Sequence, residues 1–261
     1  MKIHAFLAVS LFWLCHPSFA EKRDTLVITP ENIHMNKLHP GTQRWLVYFK
    51  MGKESSRTRF SIWTRTIDYF PYKGREAIRI RQEWENNDTI YHKAYSICDR
   101  KSFEPLYHET WNKGNTTTSF DFVDKTAVVN GKSIAVLTSD SIHRKQYQAF
   151  EQSLHQYKLN WHLDLETFSL LPYRDQVTFA INFYEPGYSA PKLVYYTVTG
   201  SRILPGYDGQ PVDCWLLEHD DQERMKNEEK FYISKKTGEV LQLEQAFGGM
   251  FRYKVKIPFS N

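Results

Sequence analysis

The chain predicts a mainly β fold: one curved antiparallel sheet, an open half-barrel of about eleven strands, with one or two helices packed in its concave face. Three observations predict it. Short runs rich in β-branched and aromatic residues recur along the sequence, and most alternate apolar and polar side chains with the period of two that belongs to strands. Turn residues part these runs every 8–12 residues or so, the spacing of a meander rather than of βαβ units. The period changes to that of a helix in a single insert, about 140–172.

Residues 1–20, MKIHAFLAVSLFWLCHPSFA, carry a Lys near the start, an apolar stretch and Ser18-x-Ala20 ahead of Glu21. This is the pattern of a secretory signal peptide cleaved after Ala20, too short to span a bilayer. Trp13-Leu14 before Cys15 do not fit a lipidation site, which wants small residues there. The mature chain is then expected to be a periplasmic or secreted protein, residues 21–261 forming one β-rich domain. It holds no later apolar run long enough for a transmembrane segment. Without Lys2 it has 33 basic and 30 acidic residues, a near-neutral balance that leaves no nucleic-acid footprint.

In order, TLVITP makes a short first strand, and WLVYFKM, apolar on both faces, a central one. In RFSIWTRTIDYF the apolar parity shifts between Ile62 and Trp63, which a bulge or two-sided burial explains. EAIRIRQEW alternates cleanly, with Ile78, Ile80 and Trp84 opposite Arg79, Arg81 and Glu83. TIYHKAYSICD, EPLYHETW and TTSFDFVD continue the meander. Tyr147, Phe150, Leu154 and Tyr157, spaced by three and four, mark a helix. A second follows over 161–171, with Asn160 as N-cap and Pro172 as stop, apolar on most sides and therefore buried. The sheet resumes at VTFAINFYEPG and closes with the meander Lys192 to Ile257. In its last run Phe251, Tyr253, Val255 and Ile257 point one way; Arg252, Lys254 and Lys256 point the other, as a wet, basic face. CDRKSFEPLYHE and ISKKTGEVLQLE repeat one hairpin pattern at a constant offset.

The order of elements resembles an uncharacterised bacterial periplasmic family, a domain of unknown function related to the LolA/LolB lipoprotein-carrier half-barrel. LVYYTVTGSRILPGYDGQPVDCWLL and FYISKKTGEVLQLE carry the likeness. The resemblance implies a sheet curled into an open corner with helices in its concavity, which the carriers use to shield acyl chains. It supplies no functional residues. The long insert departs from that pattern and is able to fill the cavity.

No GxSxG, HExxH, P-loop, dinucleotide or CxxC pattern occurs, so no cofactor or metal is expected and enzymatic activity is not. In His162-x-Asp164-x-Glu166 the spacing of two on a helix turns Asp164 away from its neighbours. His92 and His108, on flanking strands, read as satisfied or solvent-facing. Cys98 and Cys214 are expected as two separate buried thiols. Trp63, Trp84, Trp111, Trp161, Leu165, Phe168 and Trp215 come from elements expected to border the concave side. They fill a large core or line a cleft for an apolar ligand. The function favoured is a non-enzymatic envelope carrier or binding module for a lipid or lipoprotein. An envelope structural protein with a self-filled cavity and an envelope protein partner is the alternative, and a hydrolase the third reading.

Overall fold

A computed structural model describes residues 24–114, 116–136, 138–221 and 227–258. The expected signal peptide and its cleavage site lie outside the described residues. The first strand, β1 (Thr25–Val27), leads to β2 (Gly41–Lys50), β3 (Thr58–Tyr72), β4 (Arg75–Asn86), β5 (Thr89–Asp99), β6 (Pro105–Asn112), β7 (Thr117–Asp121), β8 (Thr126–Val129) and β9 (Lys132–Ser133). Helix α1 (Ser141–Ser153), β10 (Leu159–Asn160), a 3-10 turn (Trp161–Leu163) and α2 (Asp164–Ser169) form the insert. The chain ends in β11 (Thr178–Glu185), β12 (Ser189–Pro205), β13 (Pro211–Asp221), β14 (Asn227–Ser234), β15 (Val240–Phe247) and β16 (Met250–Ile257).

All strands belong to one open sheet, ordered β1-β11-β12-β13-β14-β15-β16-β2-β3-β4-β5-β6-β7-β8-β9, with β10 beside β11. The mainly β, curved and antiparallel expectation holds, with β1 and β10 the parallel additions to β11. The described residues hold sixteen strands rather than about eleven. The surplus is mostly two- to five-residue pieces such as β1, β8, β9 and β10, too short to show a period of two. The two meanders meet where β16 pairs antiparallel with β2, Val255 opposite Leu46, so the last strand lies in mid-sheet.

The main core fills the concavity. Ile78, Ile80, Cys98, Val194, Tyr196, Leu217, Phe231 and Leu243 from the sheet close on Leu163, Leu165, Phe168 and Leu170 from the insert. The segment 161–170 is buried on most sides, as its composition requires, and the Asn160 side chain caps it by accepting from His162 N at 3.0 Å. Only α2 fills the concavity. Helix α1 builds a second cluster instead, Phe150 packing on Phe120, Phe122 and Tyr184. Phe168 is fully buried among Phe183, Tyr196 and Phe231. Phe168→Ala should therefore cost about 3–5 kcal/mol in a denaturant titration, as large-to-small core changes do; under about 1 kcal/mol would place it at a surface.

The repeated hairpin is real in conformation. Phe103 N donates to Asp99 O and Asp99 N to Glu104 O; Gly238 N donates to Ser234 O and Ser234 N to Glu239 O. Both hairpins carry a register shift at the same place, between Ile97 and Cys98 and between Tyr232 and Ile233. The left-handed position is glycine in one copy, Gly238 at φ +76°, and phenylalanine in the other, Phe103 at φ +57°. Phe103 accepts that backbone because its ring is wholly buried in the core. Cys98 and Cys214 are free and buried. Thiol titration of the unfolded, unreduced chain 21–261 should find two reactive groups; none would mean a disulfide.

In β3 the inward residues run unbroken through Ser61, Trp63, Arg65 and Ile67. The irregularity lies earlier, where Thr58 to Ser61 oppose Phe49 and Val47 and Arg59 takes φ +53°. In β16 the expected wet face is reversed. Arg252, Lys254 and Lys256 register with Phe49, Val47 and Trp45, which face the core, so the basic side of the strand points inward. Its Phe, Tyr, Val and Ile lie on the convex side.

Candidate functional site: a charged cavity beneath a tryptophan stack

Register puts three tryptophans in a row across the sheet, Trp45 opposite Trp63 and Trp63 opposite Trp84. Trp63 and Trp84 stack with ring centroids 3.8 Å apart and planes 3° from parallel. They form one wall of a cavity of about 260 Å³ whose other walls are Trp161 and His162 of the insert and Glu229, Arg252 and Lys254 of the sheet. Ligand pockets typically run from about 300 to 1,000 Å³, so this one suits a small molecule.

Charges crowd its floor. The Arg65 guanidinium, 1 % exposed, donates from Nε to Glu166 Oε1 at 2.7 Å and from Nη2 to Glu166 Oε2 and to the His162 carbonyl. Asp164 stands 3.8 Å from the same guanidinium and accepts from Lys254 Nζ at 2.8 Å. Asp164 and Glu166 thus converge on one cation, against the expectation that they diverge: the 3-10 turn before α2 and the inward reach of Arg65 bring both carboxylates to it. Burial opposes the Arg65 charge, but the two carboxylates outweigh it and hold its pKa above the usual value. Burial likewise opposes the Asp164 carboxylate, yet Lys254 and Arg65 keep its pKa below the normal range. Lys254 is pulled down to about 8, chiefly by burial and further by Arg252 and Arg65, against the pull of Asp164.

Arg252 differs from the other two cations. It has no ion pair among the described residues; its guanidinium carbon lies 6.0 Å from the Trp63 ring centre and 5.8 Å from that of Phe247. Burial lowers its pKa. Its Nε is buried with no hydrogen-bond partner, and the same is true of Trp84 Nε1 and His162 Nε2, all on residues that line the cavity. Glu229 faces the same space but is satisfied, accepting from Tyr196 Oη and Gln245 Nε2, each at 2.7 Å.

Behind this wall lies a chain of three imidazoles. His162 sits between His108, 4.7 Å away, and His92, 6.1 Å away, measured between ring centres. His108 Nδ1 accepts from Asn160 Nδ2 at 2.9 Å and meets Ser96 Oγ at 2.9 Å, which leaves the proton on its Nε2. His92 Nδ1 must donate to Asn112 Oδ1, at 2.7 Å, which leaves Nε2 as an acceptor. His108, with Nδ1 taken by Asn160 and the proton on Nε2, has no free lone pair to offer a metal ion. Among the described residues no group of three or more His, Cys, Asp or Glu is placed to hold a metal ion. The Ser96–His108 pair is fully buried, out of reach of a substrate.

Of the seven residues expected to line a cleft, Trp63, Trp84 and Trp161 do so. Leu165 and Phe168 are core beneath it, 3 % and 0 % exposed. Trp111 is on the convex face: His108 and Thr110 take the inward parity of β6, and Trp111 falls opposite Lys93 on the outside. Trp215 packs at the core edge, 6.5 Å from the Tyr173 ring and under Lys235. Sequence reasoning missed Arg65, Arg252 and Lys254. A signal was present in the first: Arg65 stands between Trp63 and Ile67 on the apolar parity of its strand.

The family model described as Protein of unknown function (DUF3108) matches residues 44–256. The chain belongs to this family. The matched stretch begins in β2 and ends in β16, the two strands whose pairing joins the meanders, so it takes in every wall of the cavity. No curated protein matches the chain. Among solved structures, it is similar to a β-barrel-like protein of the domain of unknown function DUF1849 from Brucella abortus, at 10% identity and a TM-score of 0.39. That alignment covers 84% of this chain and 96% of the other. Among the described residues no helix is long and apolar enough to cross a membrane.

Proposed function

We propose that the protein is a non-enzymatic binding module of the cell envelope, and that its cavity takes a small, planar ligand carrying an anionic or otherwise acceptor-rich group. One observation carries the reading: three buried nitrogens without partners belong to Trp84, His162 and Arg252, residues that line one cavity. A buried donor left unpaired costs about 1–3 kcal/mol, and an acceptor-rich ligand meets that need. The Trp63–Trp84 stack supplies the flat apolar wall.

The acyl-chain reading fits this cavity poorly, because charged side chains make up much of its lining. It finds support elsewhere, in a groove of about 780 Å³ at the far end of the sheet, lined by Leu204, Val212, Leu241, Val255 and Ile257. Lipid carriage there would use a different face from the concavity that the LolA/LolB carriers use.

The test is tryptophan fluorescence and thermal shift against a panel of aromatic and aliphatic carboxylates and phosphates. Saturable quenching is expected with some members of the panel, weakened at least tenfold in Arg252→Gln. Binding that is untouched by that substitution, or confined to uncharged lipids, would move the site to the groove.

A further inference from the structure

The hairpin between β2 and β3 is strongly exposed. From Met51 to Phe60 every residue but Gly52 is exposed, with Met51 at 61% and Phe60 at 49%. The stretch Lys50 to Phe60 carries Lys50, Lys53, Arg57 and Arg59 against Glu54 alone. Lys50 is tied to the Lys53 carbonyl and Arg57 lies 4.9 Å from the Tyr48 ring centre. Among the described residues none of these four cations has an ion pair.

Beside it stands the turn of β15 and β16. Phe251 registers with Lys50, so the Gly248-Gly249 turn, with φ +54° and +81°, adds half-buried Phe247 and Met250 to the same end. Those two positive φ values are what a tight hairpin turn demands, and glycine meets them without strain. The next hairpin over, at Asn86 to Thr89, carries Glu85 and Asp88 and bounds the basic region on that side.

Exposed methionine and phenylalanine tips ringed by unpaired Lys and Arg are the chemistry of an interface with anionic lipid. The apolar tips enter the boundary between headgroups and acyl chains while the cations meet the phosphates. Nucleic acid would ask for a wider basic surface than four residues on a chain this near neutrality. We infer that the β2–β3 and β15–β16 turns dock the protein, end-on, on an anionic membrane surface. The cavity reading is independent of this, although Arg252 lies only two residues from Met250.

Flotation of the processed chain recovered after export, with vesicles of phosphatidylglycerol and phosphatidylethanolamine or of phosphatidylcholine alone, tests it. Selective recovery with the anionic vesicles is expected, falling as salt rises from about 0.05 to 0.5 M and the Debye length shrinks. The triple variant K53E/R57E/R59E should bind at least about 100-fold more weakly, since each such contact contributes about fivefold near a charged surface. A Met51→Ser, Phe60→Ser double variant, with unchanged charge, should lose several-fold. All these positions are exposed, so far-UV circular dichroism should show an intact fold. No recovery of folded wild type with anionic vesicles overturns the inference. So does recovery insensitive to charge reversal, or preferential binding to DNA or an acidic protein in place of vesicles.

Discussion

Replacing Arg65 by Met should destabilise the protein by about 3–5 kcal/mol, the cost of leaving one member of a buried ion pair without its partner. Glu166, 3% exposed at its side chain, would lose the guanidinium that donates to both its oxygens, and the His162 carbonyl would lose one of its two donors. The same physics predicts the rescue. Removing both charges in Arg65→Met with Glu166→Leu abolishes the desolvation penalty along with the attraction, and such exchanges are often neutral or better. Urea titrations of the wild type and the two variants decide the matter. A double variant as unstable as the single one would mean that the pair is held for its geometry, through the His162 carbonyl, and not by charge balance.

Stability should also fall steeply on mild acidification. Burial lowers the pKa of His92; burial and the neighbouring imidazoles lower that of His108 well below the ordinary value; burial, His92 and nearby cations bring that of His162 to about 3. A histidine whose folded pKa lies below its unfolded value near 6.5 is less protonated folded than unfolded. Its stabilising effect is therefore complete above about pH 6.5 and is lost as pH falls below that value. Each such group contributes a slope of up to about 1.4 kcal/mol per pH unit, so the three together should remove up to about 4 kcal/mol between pH 7.5 and 5.5. His162→Gln should reduce the loss by about a third, since the Arg65 and Gln82 bonds go to the backbone carbonyl and survive. The carboxylates with lowered pKa, Asp68, Asp121 and Asp164, add their own loss only in more acidic solution. A change under about 1 kcal/mol over that interval would mean that water reaches the imidazoles.

The fold was readable because sheets announce themselves locally. EAIRIRQEW states its own parity, and Ile78, Ile80 and Trp84 do face inward. The buried 161–170 segment and its Asn160 cap were legible for the same reason. The site was not, because its polarity runs against the rule that reads faces. In β16 the charged side reads as wet, whereas Lys254 is 4% exposed at its side chain and turned to Asp164 across the concavity. Only tertiary pairing tells a solvated cation from a buried, compensated one, and the compensating acid lies 90 residues away along the chain. Trp111 failed differently: its strand begins with adjacent apolar residues, Leu106 and Tyr107, which leave the inward parity undetermined. His92 and His108 do lie on flanking strands, but they are buried with Nε2 unpartnered rather than satisfied or solvent-facing, and nothing in one strand shows that His162 enters between them.

Native mass spectrometry of the protein, released gently from the cells that make it, tests the central claim most directly. The account predicts a non-covalent adduct of a small molecule with an anionic or acceptor-rich group, present on the wild type and absent or strongly reduced on folded Arg252→Gln. An adduct consisting of acyl lipid alone, equally abundant on both proteins, would contradict it.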